Sequence, residues 1–308
     1  MTNLMYSKPA LTFTEQIQHL ESNGMFFDDK DKARKQLSYI SYYRLSGYWY
    51  PFRLRNQAQQ ATNQFESETL FESVMTLYEF DRNLRVLVLD AIERVEVALR
   101  TQFTYYIGHK YGAFGHTLAN NFHPKFDHPK WLSKLEHEVN RSSDEFVKHY
   151  SQKYAGFPTI PIWMLTEVMS LGALSFGYSG LQNSARKQIE DKKSISQHFN
   201  LHHKRLGNWL HILTYVRNIC AHHSRLWNRE LAIRPDRTKE PEWTSPTTPR
   251  NDRIFYILLM LRHLLKAADN GNDWAEKINH LLDQVAGEKR WRAAMGIPEN
   301  WREHPIWK

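Results

Sequence analysis

Along most of this chain apolar side chains recur at steps of three and four residues, the spacing that gathers them on one face of a helix. No run with strand period is long enough to use, and no internal repeat appears. Thr12 and Glu15 have capping-box spacing and open a first helix that Asn23-Gly24 closes. A second is expected over Asp31 to Ile40. Thr69 and Glu72 repeat the capping-box spacing at the head of the longest pattern, which ends at Gly112. One helix of that length would run to roughly 60 Å, so a break is expected near Asp81. Pro129 begins another helix, and Ser142 with Glu145 caps the next, closed by Gly156. A single helix follows from Pro161 through IWMLTEVMSLGALSFGYSGL, and a solvated one over Ser184 to Asn200 carries Arg186, Lys187, Lys192 and Lys193. Further helices are expected within the stretch Trp209 to Ile233, from a cap at Asn251-Asp252 to Ala268, and over Trp274 to Val285 with a stop at Gly287. The fold class is all-α.

The segments between carry their own signals. From Ser41 to Gln57, Tyr42, Tyr43, Tyr48, Trp49 and Tyr50 alternate with Arg44, Arg53 and Arg55. Such a stretch either packs a helical hairpin or stacks and clamps single-stranded RNA, with Arg44 and Arg53 as contacts. Asn56 to Ser67 is polar and Gln-rich and reads as a loop, which sets a boundary after residue 66. The loop before Pro129 scatters His116, His123 and His128 without metal-ligand spacing. The Pro- and Thr-rich stretch after Arg234-Pro235 is expected to be neither helical nor deeply packed. The final segment holds Trp291, Trp301 and Trp307, expected to dock on the core. Residues 1–66, 67–235 and 236–308 are therefore expected as an N-terminal subdomain, a helical core and a C-terminal extension.

Polar residues inside apolar helices single out two places. Asp90, Glu93, Glu96 and Arg100 form a stripe on the longest helix. Either Glu96 and Arg100 pair along the helix, or Glu93 or Glu96 faces a neighbouring helix and orients its polar groups. In WLHILTYVRNICAHHSRLWNRELAI, Leu210, Leu213, Val216, Ile219 and Cys220 make an apolar face that Arg217, Asn218 and His222 interrupt. Asn218 and His222 share a side of the helix, while Arg217 lies about 140° round from His222 and must reach across. His223, Arg225 and Arg229 follow at the exit. A general acid/base beside permanent cations suits phosphodiester chemistry, in which His moves a proton and Arg neutralises charge on the equatorial oxygens. The plainer account is a basic helix end pairing with its own carbonyls.

Composition narrows the classes. A formal net charge of +8 and a pI near 9.4 favour polyanionic partners, nucleic acid first. The lone Cys220 rules out an internal disulfide and any cysteine-rich zinc site, and its apolar surroundings make it a packing residue. No secretory signal and no run long enough to span a bilayer is seen, so a cytoplasmic protein without membrane contact is expected. No glycine-rich phosphate loop is present, and no cofactor or metal is expected.

Three blocks, RNICAHHSRLWNR from Arg217, IERVEVALRTQ from Ile92 and PIWMLTEVMSLGALSFGYSGL from Pro161, together with the opening YSKPALTFTEQIQHLESNG, resemble the Abi family of bacterial abortive-infection proteins, the AbiD/AbiF type. The resemblance runs from about Tyr6 to Ile233. It implies that Arg217 and His222 are the Arg-x4-His signature of a HEPN domain, an all-helical nuclease module, here a bundle with N- and C-terminal helical extensions. Metal-independent endoribonuclease activity follows as an expectation. The RNA 2'-hydroxyl would attack to leave a 2',3'-cyclic phosphate, with His222 as acid/base, Arg217 on the phosphorane, and Asn218 orienting His222 or holding a phosphate oxygen. His223, Glu93, Glu96 and Arg100 would support them, and Arg225 and Arg229 would hold RNA.

In that family two such motifs face each other across paired domains. This chain has one, so a homodimer with a composite cleft is expected. The implied setting is a toxin-like defence role with RNA as substrate and a small regulatory RNA or another partner as restraint. A non-catalytic RNA- or protein-binding module of a defence or toxin–antitoxin system is the alternative that charge and aromatics suit equally.

Overall fold

The computed structural model describes residues 5, 7, 9–184, 189–269, 272–285 and 287–308. They form fourteen α-helices and two short two-stranded pairs, an all-α fold, and the chain divides into compact units of residues 1–83 and 84–308.

In the first unit, α1 (Phe13–Ser22) starts at the Thr12/Glu15 capping box, in which each side chain bonds the other's backbone amide. It ends at Asn23, and Gly24 follows with φ +92°, a left-handed turn open to glycine. Helix α2 (Lys30–Ile40) is capped by Asp29, and α3 (Tyr42–Trp49) by Ser41. The expected loop after it is a hairpin: β1 (Arg53–Arg55) pairs antiparallel with β2 (Ala61–Phe65). Helix α4 (Phe71–Tyr111) begins here and continues unbroken into the second unit, against the expected break near Asp81. Asp81 is fully buried within the continuous helix and accepts from the Tyr48 hydroxyl at 2.7 Å, so a partner on α3 offsets the cost of burying its carboxylate. The Thr69/Glu72 capping box does not form. Thr69 donates to the Glu66 carbonyl instead, and Glu72 accepts from the Asp28 amide. Tyr48 and Trp49 are core residues, whereas Tyr43 and Tyr50 are exposed.

In the second unit α5 (His128–Arg141) follows Pro129's placement, and α6 (Glu145–Lys153) comes next. The Ser142/Glu145 capping box is absent because Ser142 bonds Asp144, its acceptor Oγ taken by the Asp144 amide. The helix expected from Pro161 is two, α7 (Ile162–Val168) and α8 (Leu171–Gly180). Ser170 caps α8, and Glu138 accepts from its amide at 3.0 Å and its hydroxyl at 2.6 Å. The small residues of α8 serve packing within the chain. A Cβ on Gly177 would lie 2.6 Å from the Trp131 ring, and one on Gly180 would lie 2.6 Å from Phe126.

The segment expected as one solvated helix holds a strand pair, β3 (Asn183–Ser184) with β4 (Ile189–Glu190), and then α9 (Asp191–His198). Arg186 and Lys187 lie outside the described residues. Helix α10 (His203–Ala221) packs against α8 and α9. Beyond it come α11 (Pro241–Thr244), α12 (Ile254–Ala268), α13 (Trp274–Asp283) and α14 (Lys289–Met295). Helix α12 is buried along nearly its whole length. Its expected cap is not used: Asn251 donates to the Pro235 carbonyl and Asp252 pairs with Arg250. The Pro-rich stretch is packed after all, because Trp243 on α11 is buried against Trp209 and Tyr256 at ring distances of 5.3 and 5.6 Å. Trp291, Trp301 and Trp307 are buried, as docking of the C-terminal segment requires.

Candidate functional site

Helix α10 is held by a continuous apolar face. Leu206, Trp209, Leu210, Ile212, Leu213, Val216, Ile219 and Cys220 are all buried, and the side bearing Arg217, Asn218 and His222 is solvent-exposed. The polar groups interrupt the sequence pattern without entering the core, so no buried charge is left to compensate. An Arg217 guanidinium N–H donates to the Asn218 side-chain oxygen at 3.3 Å.

The helix stops at Ala221, with His223, Arg225 and Arg229 following at its exit. His222 is its C-cap, with an amide that donates to the Asn218 carbonyl at 3.0 Å. His223 follows at φ +55°, donating to the Cys220 carbonyl, and the Ser224 amide reaches back to Ile219. This paired closure is the Schellman arrangement, in which the left-handed position is usually glycine. A β-carbon there is disfavoured, and the turn fixes where both histidines leave the helix. Leu226 and Trp227 are buried immediately after, with the Trp227 ring 5.3 Å from Trp291, which pins the exit strand. The Arg229 Nε–H donates to the Arg225 carbonyl at 2.8 Å.

The stripe on α4 resolves into two pairings. Glu96 and Arg100 form the i,i+4 ion pair at 2.5 Å. The same guanidinium donates to the Glu167 and Met169 carbonyls at 2.9 and 2.8 Å, holding the point where α7 ends. Asp90 pairs with Arg94 at 3.2 Å, and Glu93 is exposed. Among the described residues no hydrogen bond or ion pair joins Glu93 or Glu96 to Arg217 or His222. In the first unit Arg44 is exposed, and the Arg53 guanidinium lies over the Phe65 ring at 5.8 Å.

Sequence reading missed a buried polar centre. Asp191, fully buried at the start of α9, accepts from the hydroxyls of Tyr106 at 2.6 Å and Tyr111 at 2.8 Å and from the Lys110 ammonium. Burial and the Asp191 carboxylate push the Tyr111 hydroxyl up to about 12, so it stays a donor. The spacing of Tyr106 and Lys110 was a visible signal, but Asp191 lies 80 residues from Tyr111. Of the loop histidines, His128 donates to the His116 carbonyl at 2.8 Å, and burial pushes the His116 imidazole down to about 4. Among the described residues no group of three His, Cys, Asp or Glu side chains could hold a metal ion. No described helix is long and apolar enough to cross a membrane.

An all-helical protein with an exposed Arg-Asn-His end on an otherwise buried helix is what fold and site define. The model of the Abi-like protein family matches residues 35–228, more than half of the chain, and the match includes Arg217, Asn218, His222, His223 and Arg225. The chain belongs to that family, and its setting is abortive-infection defence against phage. No curated protein and no solved structure matches it.

Proposed function

We propose that this protein is a metal-independent HEPN endoribonuclease of abortive infection, with Arg217, Asn218 and His222 as its catalytic group. The observation that carries the reading is their common exposure at the closed end of α10, on a helix otherwise fixed by its buried face. RNA supplies its own nucleophile, the 2'-hydroxyl. His222 takes or gives the proton, Arg217 stabilises the negative oxygens of the phosphorane, and Asn218, bonded to Arg217, sets the guanidinium's direction. The products carry a 2',3'-cyclic phosphate and a 5'-hydroxyl.

The reaction is best served by an acid and a base on opposite sides of the phosphate, and one exposed His222 covers one side. A homodimer that places two Arg217/His222 pairs about a two-fold axis supplies both and shields the cleft from water.

Purified wild-type protein and its His222→Ala variant, incubated with total bacterial RNA in EDTA, test the reading. Cyclic-phosphate ends made by the wild type alone support it. RNA bound but uncut by both, with and without phage-infected lysate, would leave a binding module instead.

A further inference from the structure

At the opposite end of α10 from His222 lies a cavity of about 360 Å³ whose lining includes His123, Tyr178, Lys192, His203 and Lys204. Four of these side chains are cationic or can become so, and no carboxylate lines the cavity among the described residues. The grouping is built rather than incidental. The buried Tyr178 hydroxyl bonds the carbonyls of both Lys192 and His203 at 3.1 Å, which ties the start of α9 to the start of α10 and holds their side chains side by side. The His202 ring lies tilted against that of His203 at 4.2 Å and adds a further imidazole to the same edge.

Gathering like charges in a half-enclosed space is unfavourable by itself. Burial pulls the Lys192 ammonium below its ordinary value. His203 is lowered by burial first, then by the charges of His202, Lys192, Lys204 and Lys193. An anion seated among them reverses both effects, since it favours the charged forms that the empty cavity disfavours.

We propose that this cavity is a phosphate subsite, and that the phosphate it takes belongs to an RNA strand whose scissile bond lies at Arg217 and His222. The second clause rests on the nuclease reading. From His203 to His222 the helix rises roughly 28 Å, and no Asp or Glu occurs between them. Lys204, His211, Asn218 and His222 are exposed and fall on one side of α10, so a polyanion leaving the cavity meets donors and no carboxylate of α10 on the way to the motif.

The test uses the full chain carrying His222→Ala, so that bound RNA survives, and the same chain with Lys192→Met and His203→Gln added. Both substitutions keep most of the side-chain volume, and Tyr178 uses only the backbone of the two residues. Inorganic phosphate should raise the thermal midpoint above that in chloride of equal ionic strength and should raise the His203 imidazole pKa followed by NMR. The rise in midpoint should vanish in the triple variant, and the His203 shift should shrink in a chain carrying His222→Ala and Lys192→Met alone. Single-stranded RNA should then bind more weakly, with its salt slope reduced by about one per cation removed, and free phosphate should compete with it.

Phosphate binding without any change in RNA affinity would assign the site to a free phosphate or nucleotide and overturn the RNA clause. An unmoved midpoint and an unmoved His203 titration in the parent protein would overturn the site altogether. Because these readouts need no cleavage, phosphate binding together with no cleavage by the wild-type chain would sink the nuclease reading while sparing the subsite. RNA cleavage by a phosphate-indifferent protein would do the reverse.

Discussion

The Arg100 guanidinium donates to the main-chain oxygen of Met169 at 2.8 Å while it pairs with Glu96 on its own helix. One side chain thereby stabilises the end of α7, where the chain breaks before Ser170 starts α8. Arg100→Ala removes the donors to two carbonyls and leaves Glu96 partly buried without its cation. Loss of charged hydrogen bonds of this kind costs about 2 kcal/mol. Urea unfolding should show that loss, with a smaller one for Glu96→Gln, which leaves the carbonyls satisfied.

His222 is exposed and contributes little packing, so His222→Ala should unfold within about 0.5 kcal/mol of wild type. Cleavage should nevertheless fall by about 10²-fold or more. A large drop in midpoint alongside the lost activity would assign His222 to structure.

His223 occupies a left-handed position at φ +55°. His223→Gly should stabilise the protein by about 1 kcal/mol through relief of that conformation. Activity measured on the same variant separates the turn from the imidazole. Unchanged cleavage would show that only the turn matters, and reduced cleavage in a more stable protein would give the side chain a role.

His116 is buried with its imidazole at about 4, below the ordinary value of 6.5. Between those values the unfolded chain binds a proton that the folded chain refuses, so stability is lost as pH falls through this window and is fully present above it. The difference corresponds to roughly 3 kcal/mol at full extent. Denaturation midpoints from pH 7 to pH 4 should decline more steeply for wild type than for His116→Leu. Parallel declines would exclude His116 as a source of acid sensitivity.

A composite cleft requires two copies. Sedimentation of the active protein should give a dimer, and mixing an Arg217→Ala chain with a His222→Ala chain should leave activity far below wild type, since a mixed pair carries one Arg217 and one His222 on different subunits and no intact side. A strictly monomeric active enzyme would end the dimer proposal.

What the sequence determined by itself is the helical class and the chemistry available. Helix periodicity and the Thr12/Glu15 cap are local, set within a few residues, and so were legible before any tertiary contact was known. The burial of Cys220 and of the C-terminal tryptophans follows from apolar surface alone. The Arg217, Asn218 and His222 constellation was equally visible, because its residues are neighbours in the chain.

Tertiary structure decided what depends on partners far away in sequence. Local competition blurred some caps, for Ser142 and Thr69 had capping spacing yet bonded other groups within three residues. Residues 53–65 became a hairpin, although their polar composition carried no strand period. Trp243 sank into the core of a Pro-rich stretch because Trp209 and Tyr256 offered it a buried surface. Asp191 lay in a charged run and was buried by three donors supplied from α4. The site itself divides the same way. Its residue types and the turn at His223 come from a few adjacent positions, whereas the cation-lined cavity at the other end of α10 arises only when distant segments close around the helix.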